Sequence, residues 1–591
     1  MMLKPLRQKS HDNRSQVADV KPIVAPTMGW YVGENLASPP PKTAYYLQNV
    51  FCQLDYIRVR GGSQSWATGM PSANVSTLMP YNSAANSKMF AACNTAIYDV
   101  SNTGAVGSAA VTGLTGTNFQ FTQFTGLGGS YLIAVNGIDS VQRFDGTGWN
   151  RQWVVTGTIS NGSPNVTGLS STSGLTAGQT ITGTNIPTGT VIVSINTGAS
   201  TLVMSQNATA GATETLTIYQ SPPITTTPSA VFSNVWTFKS RLYFVETNSL
   251  NIWYLGVEAI GGAATKFPMT GIFNKGGYII ACGDWAIDST SGIYQGFCVI
   301  TSEGEVAMYD GLDPTTWSLK GVYKVAKPLG PRCLMKAGGD LLVATEDGIV
   351  PMSKVEALDQ VALENIAVTK PIAPAWRNAV ISRQGLAGWD LTSWPLQAMG
   401  IFNLPKQNVG DRTQLIVNTR TGAWSTYTGW DANCFAVYNN GLYYGTSDGR
   451  VMQAEVGGAD DNTNYTAVIF QAFDSLNGSM NQKQVKLVRP HIQSNISFTP
   501  QIDIRVDYDT MVPLAPTAIA STGTGAQWDV ARWDVDVWPA TLVNTSNWVM
   551  ATGLGSIVAP VLQWTLSSAS VTPDVRLTQI DVLYEAGNLI G

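Results

Sequence analysis

The chain has 591 residues and a formal net charge of −5, with 44% hydrophobic and 12% charged residues, where a globular protein carries roughly 25% charged. That length exceeds one ordinary core, and the absence of a basic stripe argues against stable nucleic-acid binding. No run of about 18 apolar residues occurs, so no membrane-spanning helix is expected.

The 58 glycines imply many tight turns and the 18 tryptophans imply large rigid anchors. Abundant Thr, Ser, Val and Ile favour strands. A surface so poor in charge is tolerable where much of it faces other subunits.

The first residues, MMLKPLRQKSHDNRSQ, are polar and basic without an apolar segment, so no secretory signal is expected. Residues 1–45 carry Pro22, Pro26 and Pro39-Pro40-Pro41 and read as an extended arm. From 46 to 460 a unit recurs. Its sharpest copies are Thr301-Ser302-Glu303-Gly304-Glu305-Val306, Thr345-Glu346-Asp347-Gly348-Ile349-Val350 and Thr446-Ser447-Asp448-Gly449-Arg450-Val451, each set between apolar runs. Strand, acidic-Gly turn, strand is a hairpin. Gly304, Gly348 and Gly449 supply the positive φ of the turn and the acid is expected to accept turn N–H groups. Weaker copies begin at Met89, Tyr131 and Arg241, and the stretch 414–427 is the candidate for a degenerate copy. A period of about 40–55 residues with two or more strands per unit is the signature of propeller blades. The expected fold is all-β, a β-propeller of six or seven blades over 46–154 and 221–460.

Between these halves, 155–220 has no Lys, no Arg and no aromatic before Tyr219. Its alternating Thr, Val and Ile with Gly-Asn-Pro turns predict an inserted Ig-like β-sandwich module. After 460 the period is lost, and 461–591 reads as a C-terminal β-sandwich domain.

The six cysteines, Cys52, Cys93, Cys282, Cys298, Cys333 and Cys434, are scattered among apolar residues and read as buried free thiols. The only histidines are His11 and His491, so a Ser-His-Asp triad would depend on His491 alone. No nucleotide-binding or zinc-protease motif occurs. The acidic turns resemble the Asp boxes of sialidases, but Val stands at 306, 350 and 451 and no Thr-Trp follows. No enzymatic activity, cofactor or metal is expected. The acidic groups Asp460, Asp461, Asn462, Asn464 and Asp529, Asp534, Asp536 lack EF-hand spacing and read as solvated turns. Asp503, Arg505, Asp507 and Asp509 alternate along a strand and are expected on one face, as a charge ladder or a subunit contact. Trp528, Trp533 and Trp538 recur every five residues and read as core packing or as an interface.

Gln48-Asn49-Val50-Phe51, Arg58-Val59-Arg60-Gly61-Gly62-Ser63 and Ala67-Thr68-Gly69 resemble the leading segment of the tail nozzle (tail tubular protein B-like, tail hub) proteins of short-tailed bacteriophages, the podoviruses. The insert resembles a β-rich module common in phage tail proteins, and the final RLTQIDVLYEAGNLIG resembles the closing strand of nozzle proteins. The resemblance implies a structural virion protein assembled in the host cytoplasm. It implies a homo-hexameric ring below the adaptor (head-to-tail connector), bearing fibres or spikes, that continues and gates the channel for genomic dsDNA. It brings no active site. A receptor-binding tail adhesin that contacts the host surface, and a propeller glycosidase, stand as alternatives.

Overall fold

The computed structural model describes residues 18–33, 36–126, 129–227, 231–289, 292–355, 360–408, 410–478, 481–496, 500–515, 542–567 and 571–589. The chain forms two compact units. One comprises residues 65–414 and 430–454, the other 1–64, 415–429 and 455–591.

The larger unit is a β-propeller. Among the described residues seven sheets follow one another, with first strands Val75–Asn82, Gln120–Gly126, Phe232–Phe238, Ile279–Ser289, Leu334–Ala337, Asp390–Trp394 and Cys434–Tyr438. Each first strand neighbours the next and the seventh neighbours the first. All seven line one axial cavity, through Thr77, Gln120, Asn234, Cys282, Leu334, Asp390 and Phe435. A ring that shares one axis is a closed propeller, so the blade count is seven.

Apolar side chains fill the spaces between blades. Met79, Phe90 and Ile97 of the first blade meet Leu132, Ala134 and Phe144 of the second. Ile133 and Val135 of the second meet Leu242, Phe244 and Trp253 of the third, and Tyr243 and Ile252 of the third meet Phe297 and Val299 of the fourth. Fully burying one such side chain is worth about 1.5–3 kcal/mol. The ring is closed by hydrogen bonding as well as by packing. Ser63–Thr68, which precedes the first blade in sequence, lies beside Val451–Ala454 in the seventh. Val75, Ala91 and Cys93 of the first blade share a core with Ala67, Cys434, Tyr443 and Val451.

The recurring hairpin occupies one position in the blades. The copies from Met89, Tyr131, Arg241, Thr301, Thr345 and Thr446 all fall on the second and third strands of their sheets. The stretch 414–427 does not. Its Thr413–Asn418 and Trp424–Thr428 follow Asp390–Trp394 and Met399–Asn403 as third and fourth strands, and residues 415–429 belong to the second unit. In the turns, φ is +77° at Gly304, +148° at Gly348 and +82° at Gly449. In two of these three turns, however, an N–H is held by threonine rather than by the acid. Thr301 Oγ1 accepts from Glu305 N at 3.0 Å and Thr446 Oγ1 from Arg450 N at 2.9 Å, while Thr345 Oγ1 donates to Gly348 O at 2.7 Å. The hydroxyl sits one strand residue before the turn and reaches across it, so it meets the amide first.

Between the fifth and sixth blades the chain turns helical, over Met352–Val355, Gln360–Ile366 and Ala373–Ser382. The sequence reading missed these helices. Leu363, Ile372, Trp376 and Val380 are buried, and Trp376 Nε1 donates to Thr345 O at 3.1 Å.

The insert is a compact β module between the second and third blades. Its six strands are antiparallel, ordered Thr180–Thr182, Ala212–Tyr219, Gln152–Ile159, Asn165–Thr167, Thr201–Met204, Ile192–Asn196. The two ends of that order are joined by a bridge between Thr180 and Val191. The layers therefore run into one another around a core that includes Val166, Ile181, Leu202, Leu216 and Ile218.

The second unit is a β-sandwich. One layer contains Asn481–Ser494, paired along its length with Val575–Leu589. The other contains Tyr465–Gln471, Val558–Leu566 and Gln501–Val506. Leu47, Ile469, Val488, Ile492, Leu562, Trp564, Ile580 and Val582 fill the space between. The expected boundaries at 45 and 461 do not hold. Ala18–Val24 pairs with 579–585, and Thr43–Gln48 pairs with Tyr465–Gln471. Part of the supposed arm is thus sheet, with Pro22 on an edge strand, where a missing N–H costs no ladder bond.

Gly449→Ala and Gly338→Ala separate backbone strain from collision. Both residues have positive φ, but a Cβ at Gly449 would lie 2.0 Å from Pro71 O whereas at Gly338 it meets nothing within 4 Å. Strain alone costs about 1–3 kcal/mol. Thermal unfolding should show a clearly larger drop for Gly449→Ala, and equal drops would refute the close approach.

Candidate functional site

The most heavily bonded polar centre of the sandwich unit is Arg60, which has no exposed surface. Its Nε donates to Asn49 Oδ1 at 2.9 Å, its Nη1 to Gly61 O and Asp460 Oδ1, each at 2.8 Å, and its Nη2 to Thr428 O at 2.7 Å and to Asp460 Oδ2. The guanidinium lies 3.9 Å from the centroid of the Tyr465 ring. Burial works against the charge, but the Asp460 carboxylate outweighs it and holds the group above its ordinary pKa. Next to it, Arg58 Nη1 meets Glu455 Oε2 at 2.9 Å. Gly61 and Gly62 admit no side chain, since a Cβ would lie 2.6 Å from the Glu455 carbonyl carbon and 2.1 Å from Ala459 O. The same residues that carry the family resemblance therefore build a clamp, and Asp460 faces this clamp rather than solvent.

Sequence reasoning also missed a cluster on the long central strand. His491 Nε2 lies 2.8 Å from Asp581 Oδ2, and His491 Nδ1 lies 3.2 Å from Ser546 Oγ. Those lengths suit a nucleophile–base–acid relay. The surroundings favour a structural role instead. Arg489 Nε and Nη2 donate to the same Asp581 oxygen at 3.0 and 2.6 Å, Gln579 Nε2 donates to Oδ1 at 2.6 Å, and Ser546 is exposed. Arg489 also lies 4.7 Å from the centroid of the Trp548 ring. Burial pushes the Asp581 pKa up, but the bonds from His491, Arg489 and Gln579 prevail and hold it below the usual carboxylate range.

The expected charge ladder is split. Asp503 and Arg505 lie on Gln501–Val506, with Arg505 Nη2 3.2 Å from Asp503 and Nη1 3.0 Å from Asp509. Asp507 has left the strand with φ +48°, and its Oδ1 accepts from Ser556 N at 2.8 Å and Ile557 N at 3.3 Å. A positive φ ends the two-residue alternation, so Asp507 serves as a turn brace. Trp528, Trp533 and Trp538 lie outside the described residues. On either side of them in sequence the sandwich exposes large apolar groups: Met511 is 73% exposed, Leu514 91%, Val543 64%, Met550 77% and Leu554 58%. Met550 and Leu554 share the strand Val549–Gly555, whose Gly553 packs inward against Ile504.

All six cysteines are free and buried. Among the described residues no group of three or more His, Cys, Asp or Glu is placed to hold a metal.

No family model matches the chain, and no curated protein matches it. Solved structures similar to it include YCF48 from Cyanidioschyzon merolae, at 9% identity over 66% of this chain and 98% of that one, with a TM-score of 0.24. The Pan2 WD40 domain of Neurospora crassa matches at 8% identity over 70% and 89%, with a TM-score of 0.23. A putative 6-phosphogluconolactonase from Bacteroides uniformis matches at 12% over 60% and 91%, with a TM-score of 0.25. At such scores the propeller rests on its own strand order and shared axial cavity.

Two outcomes follow. Asp460→Ala should cost about 3–5 kcal/mol, because it strands a buried cation, while Arg60→Met with Asp460→Leu should recover much of that loss in chemical denaturation. Asp581→Asn should lower the melting temperature at pH 7. A depressed carboxylate stabilises above its unfolded pKa, so the gap to the wild type should close as pH falls below about 4.

Proposed function

We propose that the chain is a structural virion protein that forms the hexameric tail nozzle of a short-tailed bacteriophage, continuing and gating the DNA channel below the adaptor. The observation that carries this reading is the exposed apolar edge of the sandwich unit. Met511, Leu514, Val543, Met550 and Leu554 all stand in solvent in the single chain, and large apolar groups exposed on one domain are what protein–protein contacts cover. A chain with 12% charged residues suits a subunit whose surface is largely covered by neighbours. The segment around Gln48, Arg58–Ser63 and Ala67–Gly69 adds the family resemblance, and the clamp gives those residues a reason to be kept together. The mechanism is geometric. Rigid β units hold a ring, DNA passes through it, and a weakly acidic wall lets phosphates slide where Lys or Arg would hold them.

Imaging of particles labelled on this chain should place it in a six-fold ring on the tail axis. A peripheral trimer would replace the reading with an adhesin. Sugar release from host polysaccharide would replace it with a glycosidase. Met550→Glu with Leu554→Glu should weaken self-association at least about tenfold in sedimentation, which is 1.4 kcal/mol or more, while leaving the circular dichroism unchanged.

A further inference from the structure

The axial cavity of the propeller, about 180 Å³ in volume, is far larger than the ~10–15 Å³ that one water requires. Its wall is polar at chosen points. Asn234 is only 5% exposed, lines the cavity, and its carboxamide makes no hydrogen bond among the described residues. It stands beside a register shift between Phe232 and Asn234, a bulge of the kind that re-aims a side chain. Its amide atoms therefore open onto the cavity, where a polar ligand can bond them.

Arg332 also lines the cavity. Its Nη2 is committed to the first two blades, at 2.7 Å from Thr77 Oγ1, 3.0 Å from Asn118 Oδ1, 2.9 Å from Phe119 O and 3.2 Å from Ser76 O. Its Nε and Nη1 make no hydrogen bond among the described residues. Opposite in charge, Asp390 is buried and accepts from Phe435 N at 2.9 Å through Oδ2. Burial pushes its pKa up and the Arg332 charge pulls it back. Trp236, whose Nε1 donates to Asp284 at 2.6 Å, forms a fixed aromatic wall.

We propose that this cavity binds a small zwitterion of amino-acid size, its carboxylate on the unused donors of Arg332, its ammonium on Asp390, and Asn234 bonded to either head. A cation and an anion in one cavity match a neutral ligand that carries both charges, and neither a simple anion nor a simple cation satisfies both. This site is independent of the role proposed for the sandwich edge.

Isothermal titration of the full chain with glycine, acetate and methylamine tests it. Glycine should bind at least tenfold more tightly than either singly charged probe. Asn234→Leu, close in volume, should weaken glycine binding about tenfold while leaving the melting temperature within a few degrees. Arg332→Lys should weaken glycine more than methylamine. Equal binding of all three probes, glycine binding that Asn234→Leu leaves unchanged, or a density map with water alone in the cavity at millimolar glycine would overturn the proposal.

Discussion

The buried pair of Arg60 and Asp460 is the constraint on which the sandwich unit depends. Taking two charges out of water is costly, and the cost is offset only where geometry is good and the remaining donors are satisfied. Here they are: Arg60 reaches Asn49, Gly61, Thr428 and both oxygens of Asp460. The partners come from three separate stretches of sequence, and each stretch lies next to a point where the chain passes from one unit to the other, at 64–65, 429–430 and 454–455. One guanidinium thus fixes the paths of three crossing segments within this unit. An apolar side chain could fill the same volume, but it would not specify which carbonyls and which carboxylate must converge.

The propeller solves a different problem. Seven small sheets each bury little alone, and a ring gives every blade two neighbours. Closure requires that the last interface form as well as the others, which the pairing of Ser63–Thr68 with the final blade supplies. The two insertions respect this logic. The β module between the second and third blades has its own core, and the helices after the fifth blade bury Trp376 against the carbonyl of Thr345. Neither interrupts the cyclic order of first strands.

The parts of this fold legible in sequence are those written locally. A hairpin turn needs glycine at positive φ, so Gly304, Gly348 and Gly449 announce their blades, and the period follows from their spacing. What is written at long range is not legible. Nothing near Ser63–Thr68 says that this strand pairs with Val451–Ala454, and nothing near Ala18 says that it pairs with Glu585. The sixth blade was legible only through the degenerate stretch 414–427, its third and fourth strands, because it lacks the acidic-Gly turn between its second and third. Asp507 was misplaced because alternation assumes an unbroken strand, and its φ of +48° breaks it. The clamp had a faint local signal: an arginine after Ile57 and Val59, followed by two glycines, suggests a charge turned inward where backbones approach closely. The Ser546, His491 and Asp581 cluster had none, since its members come from two distant strands and the loop after a third.

The same contrast bears on how copies of this chain would recognise one another. Many of the ion pairs of the described residues are internal to a unit and spent on its geometry, as at Arg60 and Arg489. Exposed pairs such as that between Arg377 and Glu364 are worth at most about 1 kcal/mol. In the assembly proposed above, with so few charges left over, contact between copies would be specified by the shape of apolar edges and by unpaired strand rims. Such contacts are only weakly screened by salt, which is what an assembly needs if it must stay closed both inside a cell and in dilute surroundings. The design carries a liability as well, because an apolar edge that finds no partner invites non-specific association. Pro22 on the edge strand Ala18–Val24 is one guard against it, and burial of the edge in the ring proposed above would be the more complete one.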